Sequence, residues 1–402
     1  MKKHLLLLIF TSLISITGRA DSIQALPEQD YFVRFQAESN DADRAAFLKT
    51  SGLKVEWQSS LVEGLVRVSP LQAGRTFKMM PKSAAVVYME PNYRIHRTLD
   101  PIKTPVDFKG PTDEFVSRQW ALSSPNGINP KGAWAITEGS RGVKVAILDT
   151  GIEATHPDLA DRVVTGYDFI NHTDKVKDTH GHGTHVSGII GAAWNNGGVA
   201  GINSLVTLIP VKVVPDNGDE TDANLVEAFE FAVEKGARIA NCSFGKDKSA
   251  KAVAEVIEAA GKKGLLVIVA AGNDSDNNDQ DFHYPASFRT SNMIVVASST
   301  SAGTMSGFSN YGVKTVDVGA PGSNIYSSVK GGRWQTMDGT SMATPQVVGV
   351  AALVLAANPS LTVAQMKDVL LSTVSKRKEW DKKVSTGGII DATAAVKAAK
   401  AL

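Results

Sequence analysis

The sequence predicts an α/β protein in which a mainly parallel central sheet lies between layers of helices, preceded by a small α+β domain. Three observations support this prediction. Short apolar runs alternate with helical patterns from Val143 onward, which is typical of a parallel sheet. Many of the 35 glycines cluster in tight turns, which fits this class better than a helical bundle. Residues 28–97 carry strand and helix patterns of their own, ahead of a proline-containing segment.

Composition is that of a globular protein without a strongly charged partner. A chain of 402 residues has room for one large domain and a smaller one. Its 42 Lys and Arg residues balance 41 Asp and Glu residues, which gives a formal net charge of +1. A basic field and an acidic tail are both missing from the sequence, so no nucleic-acid partner is expected.

Residues 1–20 have the three parts of a secretory signal peptide. Residues 1–4 are short and basic, residues 5–16 are mostly apolar, and Gly18 and Ala20 supply small residues at the cleavage positions. A membrane anchor would need about 20 apolar residues, and this run is shorter. We therefore expect export from a bacterial cell, to the medium or the periplasm, and no membrane contact once the signal is removed.

Residues 28–97 are predicted to form the small α+β domain. Residues 31–35 alternate as a strand, and residues 41–51 are predicted to be a helix that Asp41 caps. Residues 61–68 and 84–89 add two more strands. A unit of fewer than about 80 residues is too small to enclose a large core.

A linker is predicted at residues 98–118, where Pro101, Pro105 and Pro111 stand among scattered charges with little periodicity. Exposed segments of this kind are preferred sites of proteolytic cleavage. The second domain begins near Gln119 and extends to residue 402.

The second domain is predicted to contain a series of strands, each followed by a helix or a turn. In chain order, the strands are expected at residues 143–148, 206–213, 237–242, 265–270, 293–298 and 316–318, and the helices at 183–193, 222–235, 250–263 and 341–357. In such sheets the active groups collect at the carboxyl ends of the strands. Asp149 and Asn273 both follow a predicted strand and are therefore candidates for one common site.

Three glycine-flanked fragments carry the residues of a serine nucleophile and its base. They are Leu148-Asp149-Thr150-Gly151, His182-Gly183-Thr184-His185 and Gly339-Thr340-Ser341-Met342. A serine hydroxyl is a poor nucleophile unless an imidazole takes its proton and a carboxylate orients that imidazole. The chain order Asp, His, Ser separates this set from chymotrypsin and from the α/β-hydrolases.

On these fragments the chain resembles the subtilisin-like serine proteases (subtilases, the peptidase S8 family). The resemblance covers residues 119–402 and implies a subtilisin-like three-layer fold. By this resemblance, Asp149, His182 and Ser341 are the catalytic triad, and Asn273 is the side-chain donor of the oxyanion hole. Residues 28–97 resemble the family's inhibitory propeptide, a ferredoxin-like domain of the inhibitor I9 type, with the maturation cleavage in the linker.

Single residues of these fragments also fit other roles. The histidines at 180, 182 and 185 could ligate a metal, but the His-Glu-x-x-His pattern of zinc proteases is missing from the sequence. Ser341 alone could be a helix cap. We expect His185 to be a structural histidine inside its helix and His180 to lie in a loop. Cys242, the only cysteine, excludes an intramolecular disulfide and is expected to be an inert buried thiol.

The resemblance also places a substrate-binding edge at Ser243, Phe244 and Gly245. Such an edge pairs with an extended peptide through backbone hydrogen bonds, which suits broad specificity. Lys246 and His283 depart from the family pattern at the first pocket. We expect His283 to shorten or polarise this pocket, so that large basic side chains are not favoured; the alternative is a histidine turned away from it.

A structural calcium site is the third implication of the resemblance. Its expected ligands are the side chains of Gln119, Asp158 and Asn195 and the carbonyl oxygens of Gly197 and Val199, with Ala193 as a further carbonyl. Oxygen ligands of this kind suit a hard cation. The alternative is that Asn195 and its neighbour merely form a turn. The acidic loop at residues 274–281 is expected to be solvated rather than to bind a second ion.

The sequence as a whole therefore predicts an exported serine endopeptidase that is made as a preproenzyme and processes itself. Its partners would be protein or peptide substrates and its own propeptide, which acts as an intramolecular inhibitor. Calcium is the only cofactor expected, with no organic cofactor, and a monomer is expected. An inactive homologue that serves as a binding module, and an esterase or transpeptidase with the same acyl-enzyme, are the alternatives.

Overall fold

The structure is a computed structural model that describes residues 30–72, 77, 80–92, 94–95, 113–194, 197–216 and 220–402. The predicted signal peptide at 1–20, most of the predicted linker and Asn195 lie outside the described residues.

The N-terminal unit is a four-stranded antiparallel sheet with one helix among its described residues. In chain order its elements are β1 (Tyr31–Phe35), α1 (Asp41–Ser51), β2 (Leu53–Gln58), β3 (Leu65–Pro70) and β4 (Val86–Pro91), and the strand order is β2-β3-β1-β4. The predicted cap of α1 was wrong, because Asn40 rather than Asp41 accepts the hydrogen bond from Asp43 N, at 2.9 Å. The strand predicted at residues 61–68 begins only at Leu65.

The sheet of this unit buries both of its faces. Alternate residues of a strand point to opposite faces. Tyr31, Val33 and Phe35 pack with Phe47 of α1 in the unit's own core. Phe32 and Leu65 point the other way and belong to the same apolar cluster as the helices of the following domain. The N-terminal unit is therefore docked on the larger domain rather than merely tethered to it.

Residues at the end of the predicted linker are folded. Asp113–Arg118 is a 3-10 helix, and Phe115 in it is fully buried. The Phe115 ring lies 5.2 Å from the ring of Trp334 and 5.5 Å from that of Tyr326. This short helix thus packs against the larger domain.

The larger domain alternates strands and helices as predicted, with additional short elements. Its helices are α2 (Trp120–Ser123), α3 (Lys131–Trp134), α4 (His182–Gly191), α5 (Asp222–Glu234), α6 (Lys251–Lys262), α7 (Thr340–Ala357), α8 (Val363–Ser372) and α9 (Ala392–Ala401). Strand β5 (Arg94–Ile95) precedes this domain in the chain and pairs with β9 (Glu220–Thr221). The strands of the domain itself are β6 (Lys144–Asp149), β7 (Tyr167–Asp168), β8 (Thr207–Lys212), β9 (Glu220–Thr221), β10 (Ile239–Cys242), β11 (Leu266–Ala270), β12 (Met293–Ser299), β13 (Val318–Pro321), β14 (Ile325–Val329), β15 (Arg333–Met337), β16 (Ser375–Lys376) and β17 (Gly388–Ile389). Two further 3-10 helices lie at Ala286–Phe288 and Lys378–Trp380.

The central sheet has nine strands in the order β16-β17-β13-β12-β11-β10-β6-β8-β7. All neighbouring pairs are parallel except β16 and β17. One face packs against α4, α7, α8 and α9, and the other against α5 and α6. Along β6, Val145 and Ile147 point to the first face while Ala146 and Leu148 point to the second. The predicted three-layer fold with a mainly parallel sheet is therefore confirmed.

Among the described residues, Thr340–Ala357 is the one helix long and apolar enough to cross a membrane, and 89% of it is buried inside the protein. It packs across the strands from β10 to β13 as the central helix of the core.

Candidate active site

The candidate catalytic residues and the predicted substrate-binding residue Ser243 lie at the carboxyl edge of three adjacent strands. Asp149 is the last residue of β6, Ser243 follows β10 directly, and Asn273 comes three residues after β11. These strands are neighbours in the sheet, in the order β11-β10-β6. His182 and Ser341 reach the same edge because they lie in the first turns of α4 and α7, which pack against each other.

Asp149 and His182 form a buried hydrogen-bonded pair. Nδ1 of His182 lies 2.7 Å from Oδ1 of Asp149, and both side chains are almost completely buried. Nε2 of His182 is buried without a hydrogen-bond partner among the described residues. Because Nδ1 is held by the carboxylate, Nε2 is the nitrogen that can accept a proton.

A glycine after His182 permits this approach. A Cβ built on Gly183 would overlap the carbonyl oxygen of Gly151 and would lie 3.1 Å from Oδ1 of Asp149. Gly151 itself has φ +108°, a conformation that favours glycine. The glycines beside Asp149 and His182 thus let the turn after β6 and the start of α4 come into contact.

Ser341 is the second residue of α7, and its side chain does not cap that helix. The N-cap position is Gly339, which has no side chain to serve as a cap. The Ser341 hydroxyl instead donates to the carbonyl oxygen of Ser243 at 3.1 Å. The interpretation of Ser341 as a helix cap was therefore wrong. No hydrogen bond from Ser341 to His182 is present among the described residues, so the hydroxyl must rotate to reach the imidazole.

Asn273 is held in one orientation by the residue before Ser341. Its Oδ1 accepts from the backbone N–H of Thr340 at 2.8 Å and from the Thr340 hydroxyl at 2.9 Å. This fixes the oxygen end of the amide toward α7 and places the NH2 end away from Thr340. The amide can thus present its donor end to a developing oxyanion.

The predicted substrate edge begins next to Ser341, and the side chains along it are engaged by the protein itself. The Ser243 hydroxyl donates to the carbonyl of Ser341 at 3.0 Å. The side chain of Phe244 is buried in the core cluster of α5 and α6, so this residue has only its backbone to offer a substrate. Lys246 is also buried and forms an ion pair with Asp222 at the start of α5.

His283 lies between two glycines that flank the site. A Cβ built on Gly245 would overlap the imidazole ring, and one on Gly272 would lie 3.0 Å from Cδ2 of His283. The His283 side chain is 4% exposed, and its Nε2 has no partner among the described residues. Burial lowers the pKa of His283, although Asp274, Asp247 and Asp276 partly oppose this shift. The ring therefore contacts Gly245 of the predicted substrate edge, and its role in the pocket stays a prediction.

His185 and Cys242, which were predicted to be a structural histidine and an inert thiol, are both buried. Nε2 of His185 lies 3.1 Å from the carbonyl oxygens of both Ile325 and Gln335, and burial lowers the pKa of His185 to about 3. Nε2 therefore donates to the backbone, and among the described residues no group of three or more His, Cys, Asp or Glu side chains could hold a metal ion, so His185 is structural, as predicted. Burial also raises the pKa of the Cys242 thiol, which is consistent with an inert buried cysteine.

Comparison with known proteins agrees with this geometry. Residues 140–387 match the model of the subtilase family, which is also called peptidase family S8. The chain belongs to the subtilase family. The thermophilic serine proteinase of Bacillus sp. (strain AK1) is 33% identical over 333 residues, which cover 82% of this subtilase and 78% of that protein. Thermitase of Thermoactinomyces vulgaris is 37% identical over 263 residues, which cover 65% of this subtilase and 90% of thermitase.

A solved structure supports the fold over nearly the whole subtilase. The crystal structure of fervidolysin from Fervidobacterium pennivorans, a keratinolytic enzyme related to subtilisin, superposes with a TM-score of 0.72. It shares 24% identity and covers 92% of this subtilase, which spans 61% of fervidolysin. Family membership makes this subtilase a serine-type endopeptidase.

Two of the predicted calcium ligands of this subtilase, Gln119 and Asp158, contact backbone N–H groups of the loop that follows α4. Gln119 Oε1 accepts from Ala200 N at 2.8 Å, and Asp158 Oδ2 lies 3.4 Å from Val199 N. A Cβ on Gly198, which follows Gly197, would overlap the Asp158 carboxylate. Asn195 lies outside the described residues, so its role stays a prediction.

The Asp158 carboxylate has one oxygen that protein groups satisfy and one that they do not. Oδ2 accepts from the hydroxyl of Ser328 and the indole N–H of Trp334, each at 2.6 Å. Oδ1 is buried without a partner among the described residues. A buried carboxylate oxygen without a donor calls for a cation or a water. A carboxylate oxygen is a ligand type that suits calcium.

Sequence reasoning missed two residues that orient the predicted ones. Thr340 holds Asn273, and its only sequence signal is its place beside Ser341. Asp178 accepts five hydrogen bonds at the start of α4. Its signal was an acidic residue four positions before His182, at the beginning of a helix where acidic residues are favourable.

Proposed function

We propose that this subtilase is an exported endopeptidase in which Asp149, His182 and Ser341 form the catalytic triad and Asn273 donates to the oxyanion. The observation that carries this proposal is the buried 2.7 Å contact between Asp149 and His182 at the strand edge that Ser341 also reaches. The signal-like pattern of residues 1–20 supports export.

In the acylation step, the Ser341 hydroxyl leaves the carbonyl of Ser243 and transfers its proton to Nε2 of His182. Its oxygen forms a bond to the carbonyl carbon of the scissile peptide. Asp149 accepts from Nδ1 and stabilises the imidazolium that results. The same proton then passes from Nε2 to the leaving amine as the C–N bond breaks, which leaves an acyl-enzyme on Ser341.

The negative charge that develops on the carbonyl oxygen needs donors that are already in place. The NH2 group of Asn273 is one, since Thr340 fixes its amide. The N–H of Ser341, in the first turn of α7, is a second donor that has no partner within the helix. One such side-chain donor contributes about 2.7–4 kcal/mol to the transition state. A water molecule, deprotonated by His182, then hydrolyses the acyl-enzyme by the same steps in reverse.

Ser341→Ala tests this assignment. The variant should lose casein hydrolysis by roughly a million-fold, the loss found when a triad serine is removed, and it should no longer react with a covalent serine-directed inhibitor. Wild-type enzyme that escapes the inhibitor, or a variant that remains active, would disprove the role of Ser341. The far-ultraviolet circular dichroism of both proteins provides the control for folding.

We further propose that His283 limits the substrate side chain next to the scissile bond to small residues. Its ring lies against Gly245 of the predicted substrate edge and against Gly272, which directly precedes Asn273. Burial keeps the imidazole neutral near pH 7, because it lowers the pKa of His283. A neutral ring with an unpartnered Nε2 can hydrogen-bond a small polar side chain but does not attract a large basic one.

A peptide library cleaved by the wild type and by His283→Gly tests this proposal. The wild type should favour Ala or Ser before the scissile bond, and His283→Gly should raise kcat/KM for Phe at least about 10- to 100-fold, since even one methylene in a hydrophobic pocket contributes roughly 1–3 kcal/mol. A wild type that prefers Arg or Lys, or a variant with an unchanged profile, would refute the role of His283.

We propose that the N-terminal unit is the propeptide that assists folding and inhibits the enzyme until it is cleaved off. Support comes from its contacts with α5 and α6. Glu90 Oε1 accepts from Ala252 N, and Asn92 Oδ1 from Ala223 N, both at 2.9 Å, so the unit caps the first turns of both helices. If the cleavage is autocatalytic, the Ser341→Ala precursor should stay full length while the wild type shortens.

We also propose that the corner at Asp158 binds a structural calcium ion. The Gln119 and Asp158 side chains contact the neighbouring N–H groups of Ala200 and Val199, and Oδ1 of Asp158 lacks a donor among the described residues. When bound, the ion would neutralise this buried carboxylate and tie the N-terminal end of the domain to the loop that follows α4. No organic cofactor is needed for the proposed reaction.

A further inference from the structure

The start of α4 has no cap of its own, although it carries His182. Its N-cap residue is Gly181, with φ 104° and no side chain. A helix start leaves four N–H groups without intrahelical acceptors, and buried ones need partners from elsewhere. Two residues outside the helix supply these partners: Thr150, which directly follows Asp149, and Asp178.

The buried Asp178 carboxylate collects five hydrogen bonds. Oδ1 accepts from the N–H of Gly181 at 2.7 Å, from that of His180 at 3.1 Å and from the Thr150 hydroxyl at 2.9 Å. Oδ2 accepts from both the N–H and the hydroxyl of Thr184, at 2.9 and 2.5 Å. The negative charge at a helix N-terminus adds a favourable interaction with the helix dipole.

The Thr150 hydroxyl joins this carboxylate to the first turn of α4. While it donates to Asp178, it accepts from the N–H of Gly183 at 2.9 Å. Thr184 adds a second link, since its hydroxyl accepts from Glu153 N at 3.0 Å. The turn that carries Asp149 and the helix turn that carries His182 are thus tied together on both sides.

We propose that Asp178 is a positioning residue, which acts through Thr150 to keep His182 aligned with Asp149. The proposal rests on the proposed triad. A charged acceptor with five donors is a strong anchor, because charge-assisted hydrogen bonds are about twice as strong as neutral ones. Its loss would let α4 shift relative to β6. A displacement of about 1 Å in a catalytic group can cost roughly 100-fold in rate.

Asp178→Asn and Thr150→Val test the proposal in enzyme that is expressed as the full chain and has processed itself, with active sites counted by a covalent serine-directed inhibitor. Asp178→Asn replaces an acceptor oxygen with an NH2 group that faces the existing donors. We expect kcat to fall about 10- to 100-fold, with KM within about 2-fold of the wild type. Thr150→Val removes only the bridging hydroxyl and should lower kcat about 10-fold, whereas Thr150→Ser, which keeps it, should restore most of the rate.

Asp168→Asn is the matched control. Asp168 is also buried and accepts three hydrogen bonds, but all of them come from Ile170 and Asn171 in its own loop. This variant should lose thermal stability comparably and keep kcat. Equal kcat in the Asp178 and Asp168 variants, or equal kcat in Thr150→Val and Thr150→Ser, would overturn the proposal.

The two possible failures are distinguishable. If the proposed triad is wrong, Ser341→Ala retains activity. If only the role of Asp178 is wrong, Ser341→Ala is inactive while Asp178→Asn and Thr150→Val turn over at the wild-type rate. Should Asp178→Asn fail to fold, the pair of Thr150 variants still decides the matter.

Discussion

The N-terminal unit and the larger domain are built from similar elements but enclose their cores differently. In the larger domain, helices cover both faces of the sheet, so alternate residues of β6 are buried within the domain on either side. In the N-terminal unit, α1 covers one face, and the other face is covered by the larger domain itself. Phe32 is fully buried only because the two units are in contact.

This difference indicates which unit depends on the other. A short sheet with one covered face loses much of its buried apolar area when it separates, and small units have little stability in reserve. The larger domain would lose helix caps and part of one surface but would keep its main core. A unit that is stable only while docked is suited to removal after one cleavage, as proposed for a propeptide.

Phe32→Ala in the Ser341→Ala background tests this dependence most strongly. Loss of a fully buried phenylalanine should cost about 3–5 kcal/mol, here at the contact between the two units. We expect an added protease to digest the N-terminal unit at least 100-fold faster, which corresponds to about 2.7 kcal/mol of easier opening. The rate at which the protease digests the N-terminal unit measures this change in opening free energy.

Phe35→Ala is the reference for that experiment, because Phe35 belongs to the unit's own core. Both variants should open the unit if its stability depends on docking. An N-terminal unit that stays as resistant in Phe32→Ala as in its parent would show that it is self-sufficient.

Removal of calcium should act on the larger domain and spare the contact between the units. With the ion at about 100 times its Kd, a chelator should lower the free energy of unfolding by about 2.7 kcal/mol. Differential scanning calorimetry of Ser341→Ala with and without chelator would detect it. Asp158→Asn should make the protein insensitive to the chelator, and a chelator effect that persists in this variant would place the ion elsewhere.

Acid should destabilise the larger domain through His185. Burial lowers the pKa of His185 from its ordinary 6.5 to about 3, so between these values the unfolded chain binds a proton that the folded domain does not. The free energy of unfolding therefore rises with pH across this window and falls as the pH drops. Urea unfolding of Ser341→Ala from pH 7 to pH 4 should show this slope, and His185→Gln should reduce it.

The pH dependence that Glu90 contributes at the contact between the units has the opposite sign to that of His185. Burial raises its pKa, so the docked state binds a proton more readily than the separated one. The contribution of Glu90 to docking is therefore present at low pH and is lost as the pH rises through the raised pKa.

For the larger domain, the decisive result is the slope of the unfolding free energy against pH. A slope that is unchanged in His185→Gln would rule out His185 as the source of acid sensitivity.

Much of the fold could be predicted because local pattern and tertiary structure agree. Strand β1 and helix α1 were predicted with their observed bounds, and the strands and helices around Asp149 shifted by only a few residues. Strand β2, the hairpin of β14 and β15 and the helices α8 and α9 were missed. Two-residue strands such as β16 and β17 form only because a neighbouring strand offers hydrogen bonds. The periodicity of the sequence does not reveal such a pairing.

The candidate site was predictable to a different depth for each residue. Asp149, His182 and Ser341 were proposed because each lies in a glycine-flanked fragment and the three follow one another in the order of the subtilases. The burial of Phe115 and the ion pair of Lys246 with Asp222 were not predicted, since both depend on surfaces that are distant in the chain. The same applies to the His283 ring, which sequence reasoning left pointing either way.

The sequence by itself determined the chemistry and the architecture of this protein: an alternating α/β chain that carries an aspartate, a histidine and a serine in the order of the subtilases. Only the tertiary structure decided how these groups are held. Thr340 orients Asn273, Asp178 and Thr150 tie Asp149 to His182, and His283 occupies the gap between two glycines. The physical reason is that residue types and periodicity are local, whereas hydrogen-bond partners and filled space depend on which distant segments meet.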